Sequence, residues 1–387
     1  MTFDWLRGTE AAFSSAEFAG RQARAQAAIA AAGFGALILT GPEAIYWLTG
    51  RQTAGYFAFQ ALVLPVEGAP VLLVRQLEMA GTRANTWLDT VVPYQDGEDP
   101  VAALVAMIHG MDLSDIAIER DGWFVSPRVM AALDMAFGGS LHDGSGLITP
   151  LRAVKSSAEL DAIRHAARYA EAGIAAGIAT CRVGADENAV AAAMMSAAIT
   201  SGSETMAMEP LVSSGPRSGL PHMTWRRKGL GDGDCVFLEI AGSHARYHSA
   251  LMRSVWIGKP PSQALSMHSC ASDALAAALD VCRPGQICAA PHRAAQRVID
   301  KAGYTAAFRK RIGYSMGVAF APDWGEGGIL SLFEGVEREI EPGMVFHLPA
   351  TLRDYGNFTV GASETVIISP DGPCEVLSSI RQDLHIC

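Results

Sequence analysis

Residues 235–257 read C-V-F-L-E-I-A-G-S-H-A-R-Y-H-S-A-L-M-R-S-V-W-I. Two β-rich runs lie in this stretch, 235–241 and 247–257, and one acidic side chain, Glu239, interrupts the first. An unpaired charge is expensive to bury in an apolar strand, so Glu239 either faces solvent by strand alternation or belongs to a site. Upstream, Arg152-Ala153-Val154-Lys155-Ser156-Ser157 marks a boundary, with Ser157 as N-cap and Glu159 in the first turn of a helix through Thr180. A second helix covers about 186–201, and 209–213 reads as a strand. Downstream come helices near 263–281 and 288–302, then a strand-rich stretch over 343–368. Helices first and antiparallel strands interleaved afterwards predict an α+β domain over 151–387.

The first 150 residues read differently. A helix over 17–33 ends at Gly33 and feeds the apolar run 36–40, and runs 59–65 and 70–75 flank a turn at Glu67-Gly68-Ala69 as a hairpin would. Short strands at 91–93 and 116–119 and a helix over 126–136 continue the alternation, which predicts an α/β layer domain over 1–150. A chain of 387 residues exceeds the size at which one core stops growing, in agreement with two domains.

Half the residues are hydrophobic and 18% charged, a globular balance that excludes the disordered class. A net charge of −10 without a recurring Lys/Arg stripe argues against a nucleic-acid partner, and the run Arg226-Arg227-Lys228 reads as a solvated turn. The start, M-T-F-D-W-L-R-G-T-E, lacks a signal-peptide pattern, and no apolar run approaches the ~18 residues that span a bilayer, so a soluble cytoplasmic protein without a membrane partner is expected. Seven cysteines with no C-x-x-C pair read as small core residues or bystanders.

Five ordered segments carry a resemblance: R-A-V-K-S-S-A-E-L-D-A-I-R-H-A-A (152–167), Gly231-Asp232-Gly233-Asp234 leading into Val236-Phe237-Leu238-Glu239, the strand 247–255, Gly313-Tyr314-Ser315-Met316-Gly317, and Glu341-Pro342-Gly343-Met344-Val345-Phe346-His347. Together they resemble the creatinase, prolidase and aminopeptidase P superfamily. The resemblance implies an N-terminal creatinase-type domain followed by a pita-bread catalytic domain. It also implies a homodimer in which the N-terminal domain of one subunit lies near the site of the other.

The peptidases of that superfamily hold two divalent ions with two Asp, one His and two Glu, because bridging carboxylates suit hard cations and trap a nucleophilic water. The matching positions here are Glu239, Ala250, Tyr314, Pro349 and Ser363, with Glu364 one residue beyond the last. Neither Ala nor Pro offers a donor, so no metal and no other cofactor is expected. Creatinase shows by analogy that the fold hydrolyses a C–N bond without metal, using a His that corresponds to His222 in Pro221-His222-Met223-Thr224-Trp225. A neutral imidazole takes a proton from water and returns it to a leaving nitrogen. At a ligand position, Glu239 becomes the second catalytic candidate, orienting water or accepting a proton if burial raises its pKa.

Within the superfamily the pattern is similar to the ectoine hydrolase branch. The matching segments are P-H-M-T-W (221–225), F-L-E-I-A-G…R-Y-H (237–248), G-Y-S-M-G…A-P-D-W-G-E (313–326) and M-V-F-H (344–347). The branch carries an acid roughly where this chain has Gly361, which widens the implied substrate to related cyclic amidines and N-acyl diamino acids. Creatine is not the expected substrate, since by the same resemblance the Glu residues that hold its guanidinium in creatinase correspond to Met252 and Pro349 here. Further substrate-binding candidates are Trp225 and Trp324, which suit a cationic ring through cation–π contact. Asp323 and Glu326 lie beside Trp324 in a Gly/Pro-rich loop, and Tyr247, His248, Tyr314, His347 and Glu364 replace or neighbour lost ligands. Phe57 is a candidate to reach a partner's site, against a reading as strand core. The sequence thus predicts a metal-independent C–N hydrolase acting on a small polar substrate through a His222/Glu239 pair. The alternatives are an Xaa-Pro metallopeptidase and a non-catalytic binding homologue.

Overall fold

The computed structural model describes residues 3–387, which divide into two compact units, Met1–Arg152 and Ala153–Cys387. In the first unit the helices are α1 (Ser15–Ala31), α2 (Pro42–Thr49), α3 (Met79–Asn85), α4 (Pro100–His109) and α5 (Pro127–Ala136). Its strands are β1 (Ala36–Leu39), β2 (Ala61–Pro65), β3 (Val71–Arg75), β4 (Thr90–Tyr94), β5 (Ile116–Ile118) and β6 (His142–Asp143), in the order β4-β3-β2-β1-β5-β6. The central hairpin β1-β2-β3 is antiparallel, whereas β4, β5 and β6 join in parallel, as the α/β reading requires. Helix α1 starts at the N-cap Ser14 and buries Phe18, Arg21, Ala25 and Ile29, spaced to form one stripe. Phe57 lies in a turn before β2 and is 80% exposed, so it is not strand core.

The second unit contains α6 (Ser157–Thr180), α7 (Glu187–Thr200), β7 (Leu211–Ser214), β8 (Cys235–His244), β9 (Tyr247–Trp256), α8 (Ser262–Val281), α9 (Ala289–Lys301), β10 (Gly313–Ser315), β11 (Ser331–Leu332), β12 (Val345–Asp354), β13 (Phe358–Ile367), β14 (Glu375–Val376) and β15 (His385–Ile386). Ser156, one residue before the expected cap, begins α6: its hydroxyl accepts from the Glu159 N–H while the Glu159 carboxylate accepts from the Ser156 N–H. The sheet runs β11-β10-β12-β13-β9-β8-β7 through antiparallel pairs, with β14 on β13 and β15 beside β9. All seven cysteines are free and six are buried. No helix among the described residues is long and apolar enough to cross a membrane.

Strand alternation assigns this sheet's two faces. Val236, Leu238, Ile240, Leu251 and Val255 pack with Ala170 and Ile174 of α6, and Phe346, Leu348, Ala350, Val360, Ala362 and Val366 pack with α8. The intervening residues, among them Glu239, Tyr314 and Pro349, therefore point to the opposite face.

Candidate active site

On that opposite face lies a cavity of about 400 Å3. Its floor comes from alternate strand positions: Leu211 and Ser213 of β7, Phe237 and Glu239 of β8, Tyr314 of β10, and Pro349, Thr351 and Arg353 of β12. Leu211 is directly opposite Glu239 in the ladder, and Ser213 opposite Phe237. One rim is the loop after β7, with Leu220, Pro221, His222 and Met223; the other is the segment before β10, with Arg309, Lys310 and Arg311.

Glu239 is 9% exposed and is the one carboxylate among the lining residues. Burial raises its pKa above the usual carboxylate value, an effect the charges of Lys310 and Arg353 oppose. Lys310 shifts the other way: burial lowers its pKa while Glu239 opposes, and its Nζ donates to the Pro349 carbonyl at 2.6 Å. Arg353 donates through Nε to Thr359 Oγ1 at 2.9 Å, and the Arg311 guanidinium lies 4.8 Å from the centre of the Tyr314 ring. Four cations against one carboxylate make the cavity locally basic in a chain of net charge −10. These cations escaped the sequence reading, although three in succession at 309–311 were a visible signal.

His222 is exposed on the rim with φ 55°, a left-handed conformation uncommon outside glycine. Its loop is pinned by the fully buried Glu187 of α7. Glu187 Oε1 accepts from the Ser214 N–H and hydroxyl, each at 2.8 Å, and its Oε2 accepts from Arg217 Nη1 at 2.5 Å and the Arg226 N–H at 2.7 Å. Both ends of segment 214–226 thus hang on one carboxylate.

Several expected site residues lie elsewhere, each for a local reason. Glu364 follows Ser363 by one residue, and alternation turns it to the helix-covered face, where it pairs with Arg253 at 2.7 Å, both side chains buried. Tyr247, on the same face, donates to Glu159 Oε1 of α6 at 2.6 Å. His248 Nε2 accepts from the Ala207 N–H at 3.0 Å and its Nδ1 bonds the Arg246 carbonyl at 2.9 Å, so both nitrogens serve the fold. Glu326 is closed into a buried pair with Lys155 at 2.9 Å. Trp225 packs partly buried against the core around α6 and α7 and is absent from the lining, as is Asp323, which is exposed and accepts from the Gly325 N–H. Asp323 is still close enough for its charge to raise the Glu239 pKa. Trp324 is 2% exposed and donates through Nε1 to Tyr314 Oη at 3.2 Å; His347 is fully buried behind Tyr314, with Nδ1 2.9 Å from the same oxygen. Neither tryptophan offers the ring face expected for a cationic substrate. Phe57 belongs to the other unit, exposed in its turn.

Two family models match the chain: Metallopeptidase family M24 over residues 161–370 and the Creatinase/Prolidase N-terminal domain over 21–154. The chain belongs to the metallopeptidase family M24. One relative is an ectoine hydrolase of Halomonas elongata, 26% identical, with 97% of this chain and 98% of the relative aligned. A probable dipeptidase PepE of Mycobacterium bovis is 29% identical over 94% of this chain and 95% of its own length. Among solved structures, dipeptidase PepE of Mycobacterium ulcerans superposes with a TM-score of 0.83 at 25% identity, covering 97% of this chain and 99% of its own. A prolidase of Thermococcus sibiricus gives a TM-score of 0.86 at 22% identity over 97% and 100%, and shares the fold.

The family's name implies a metal, which the residues present do not fit. Among the described residues no group of three or more His, Cys, Asp or Glu is arranged to hold an ion. Glu239 is surrounded by Lys310, Arg353 and Tyr314, and a cationic wall disfavours a dication where the peptidases need carboxylates. At Gly361 the backbone has φ +136°, and a Cβ there would lie 2.2 Å from the Ala350 carbonyl oxygen, so this backbone admits no acidic side chain.

Proposed function

We propose that this hydrolase cleaves a C–N bond in a small cyclic amidine or amide of ectoine type without a metal, using His222 and Glu239. The observation that carries the reading is the lining: one carboxylate of raised pKa, facing Lys310, Arg311 and Arg353, with an imidazole on the rim. A substrate carboxylate would pair with the cations, which leaves the scissile C–N carbon toward Glu239. His222 takes a proton from water and returns it to the leaving nitrogen, while Glu239 assists by holding the water or taking a proton from the cationic nitrogen. A homodimer that closes the site with the partner's N-terminal domain belongs to the same proposal.

The test is a panel of ectoine, creatine, N-acyl diamino acids and Xaa-Pro dipeptides, followed by mass spectrometry with and without chelator. Cleavage of ectoine or an N-acyl diamino acid that persists in chelator is expected, with His222→Ala and Glu239→Gln each losing about 100-fold or more in kcat. Unchanged rates in both variants reject the pair. A dipeptidase is the second reading, favoured by the PepE likeness and by the fit of a peptide carboxylate to the same cations. It requires dipeptide cleavage that manganese or cobalt restores after chelation.

A further inference from the structure

We propose that the Tyr314 hydroxyl is a fixed hydrogen-bond donor to the reacting group of the substrate, its proton turned into the cavity by a buried relay of Ser363, His347 and Trp324. The donors and acceptors along the relay fix its direction. Ser363 Oγ is 2.8 Å from the Met252 N–H, which can only donate. The hydroxyl proton of Ser363 therefore goes to its other partner, His347 Nε2, at 2.7 Å. Burial holds His347 neutral, its pKa pushed down to about 3, so a ring that accepts at Nε2 carries its one proton at Nδ1. That proton is donated to Tyr314 Oη at 2.9 Å, and the Trp324 Nε1–H, which can only donate, reaches the same oxygen at 3.2 Å. Two donors fill the acceptor sites of Tyr314 Oη. Its own proton is left for the side without a protein partner, the cavity it lines beside Glu239.

The opposite tautomer runs the chain backwards and fails. With the proton on His347 Nε2, Ser363 Oγ would receive two donors, and its own proton would have no acceptor in a fully buried setting. Tyr314 would then give its proton to His347 and face the cavity as an acceptor. Burial raises the Tyr314 pKa above the phenol value, so the group keeps its proton and acts by hydrogen bonding, with no bond made or broken. Its natural recipient is the oxygen that water adds to the scissile carbon, where negative charge develops. Tyr314 is then a catalytic residue, and Ser363, His347 and Trp324 are positioning residues that act through it.

The identity of the reacting group rests on the proposed hydrolysis; the orientation of the relay does not, so two measurements separate them. In the 15N side-chain spectrum of histidine-labelled protein, His347 should show a bare Nε2 and a protonated Nδ1 from about pH 5 to about pH 9, and should lose that preference in Ser363→Ala. A protonated Nε2 in the unsubstituted protein overturns the relay, whatever the enzyme hydrolyses. In kinetics on whichever substrate the panel yields, Tyr314→Phe keeps the ring and removes Oη; kcat should fall about 100-fold to 1,000-fold with KM within about threefold. Ser363→Ala should cost about tenfold alone and nothing further in the Tyr314→Phe background. An undiminished kcat in Tyr314→Phe, or losses that multiply in the double variant, overturns the donor role. If no substrate is cleaved, the hydrolase reading fails while the spectrum still decides the relay.

Discussion

Buried titratable side chains in this molecule pull its pH response in opposite directions. Burial raises the Glu239 pKa above its unfolded value, so its contribution to stability is present below the unfolded pKa and lost as pH rises through the folded one. Glu239→Gln removes that loss. Its melting temperature should gain on that of the unsubstituted protein as pH climbs from about 4 toward neutrality, and a difference independent of pH would contradict the burial argument. His248 runs the other way. Its pKa is pushed down to about 4 by burial, so its contribution is present above the unfolded value of about 6.5 and lost as pH falls toward the folded value. The shift amounts to about 3 kcal/mol at the acid end, and His347 adds in the same direction. Urea midpoints at neutral pH and near pH 4 should therefore differ less in His248→Gln, which keeps a donor and an acceptor but does not titrate.

At the scale of elements, a strand's period of two separates function from structure. Ser363 and Glu364 are neighbours on β13, yet one bonds His347 beneath the cavity and the other neutralises Arg253 under the helices. Glu364→Ala leaves a buried guanidinium without its carboxylate, so unfolding free energy should drop by about 3–5 kcal/mol while KM of the surviving enzyme moves less than about twofold. A large KM change with unaltered stability would return Glu364 to the site. The loop after β7 depends on α7 in a similar way. With Glu187→Ala the donors at Ser214, Arg217 and Arg226 lose their common acceptor, and the left-handed conformation of His222 loses its restraint. Amide exchange over 214–226 should accelerate by about tenfold or more, with kcat falling as well; protection equal to the original loop would show that the clamp is dispensable.

For the molecule as a whole, the charge balance is split by place. The chain carries −10, but its cavity is lined by Arg309, Lys310, Arg311 and Arg353 against Glu239. A zwitterionic substrate of the proposed kind, with a net charge near zero, feels little of the chain's field at long range, while its carboxylate would pair with these cations at short range. Salt screens the exposed surface more than the enclosed pairing, so KM for a carboxylate substrate should change only about twofold between about 20 and 200 mM salt. Arg353→Gln should raise KM about tenfold at either salt concentration, with kcat nearly unchanged. Equal KM values in Arg353→Gln and the unsubstituted enzyme would exclude Arg353 from substrate binding.

Periodicity, caps and turns made much of the element order legible: the helices at 157–180 and 263–281 and the strands around Glu239 lie close to where local chemistry puts them. Those signals are short-range, fixed by residues a few positions apart, and a sequence displays them directly. That Ala250 and Pro349 offer no side-chain donor was legible too, since that holds in any fold. Which polar residues meet in space was not. Tyr247, His248, Glu326 and Glu364 have side chains suited to a pocket, and each is taken up by a partner distant in the chain: Glu159, Ala207, Lys155 and Arg253. Arg353 entered the cavity because antiparallel pairing brings β12 to the same face as β8, and Lys310 because the segment leading into β10 borders that face; such long-range register is set only when the sheet closes. The sequence alone determined the elements and the order of the segments that carry the family likeness. Tertiary structure alone decided which side chains share the cavity, because the hydrogen-bond partners that claim a buried polar group come from elsewhere in the chain.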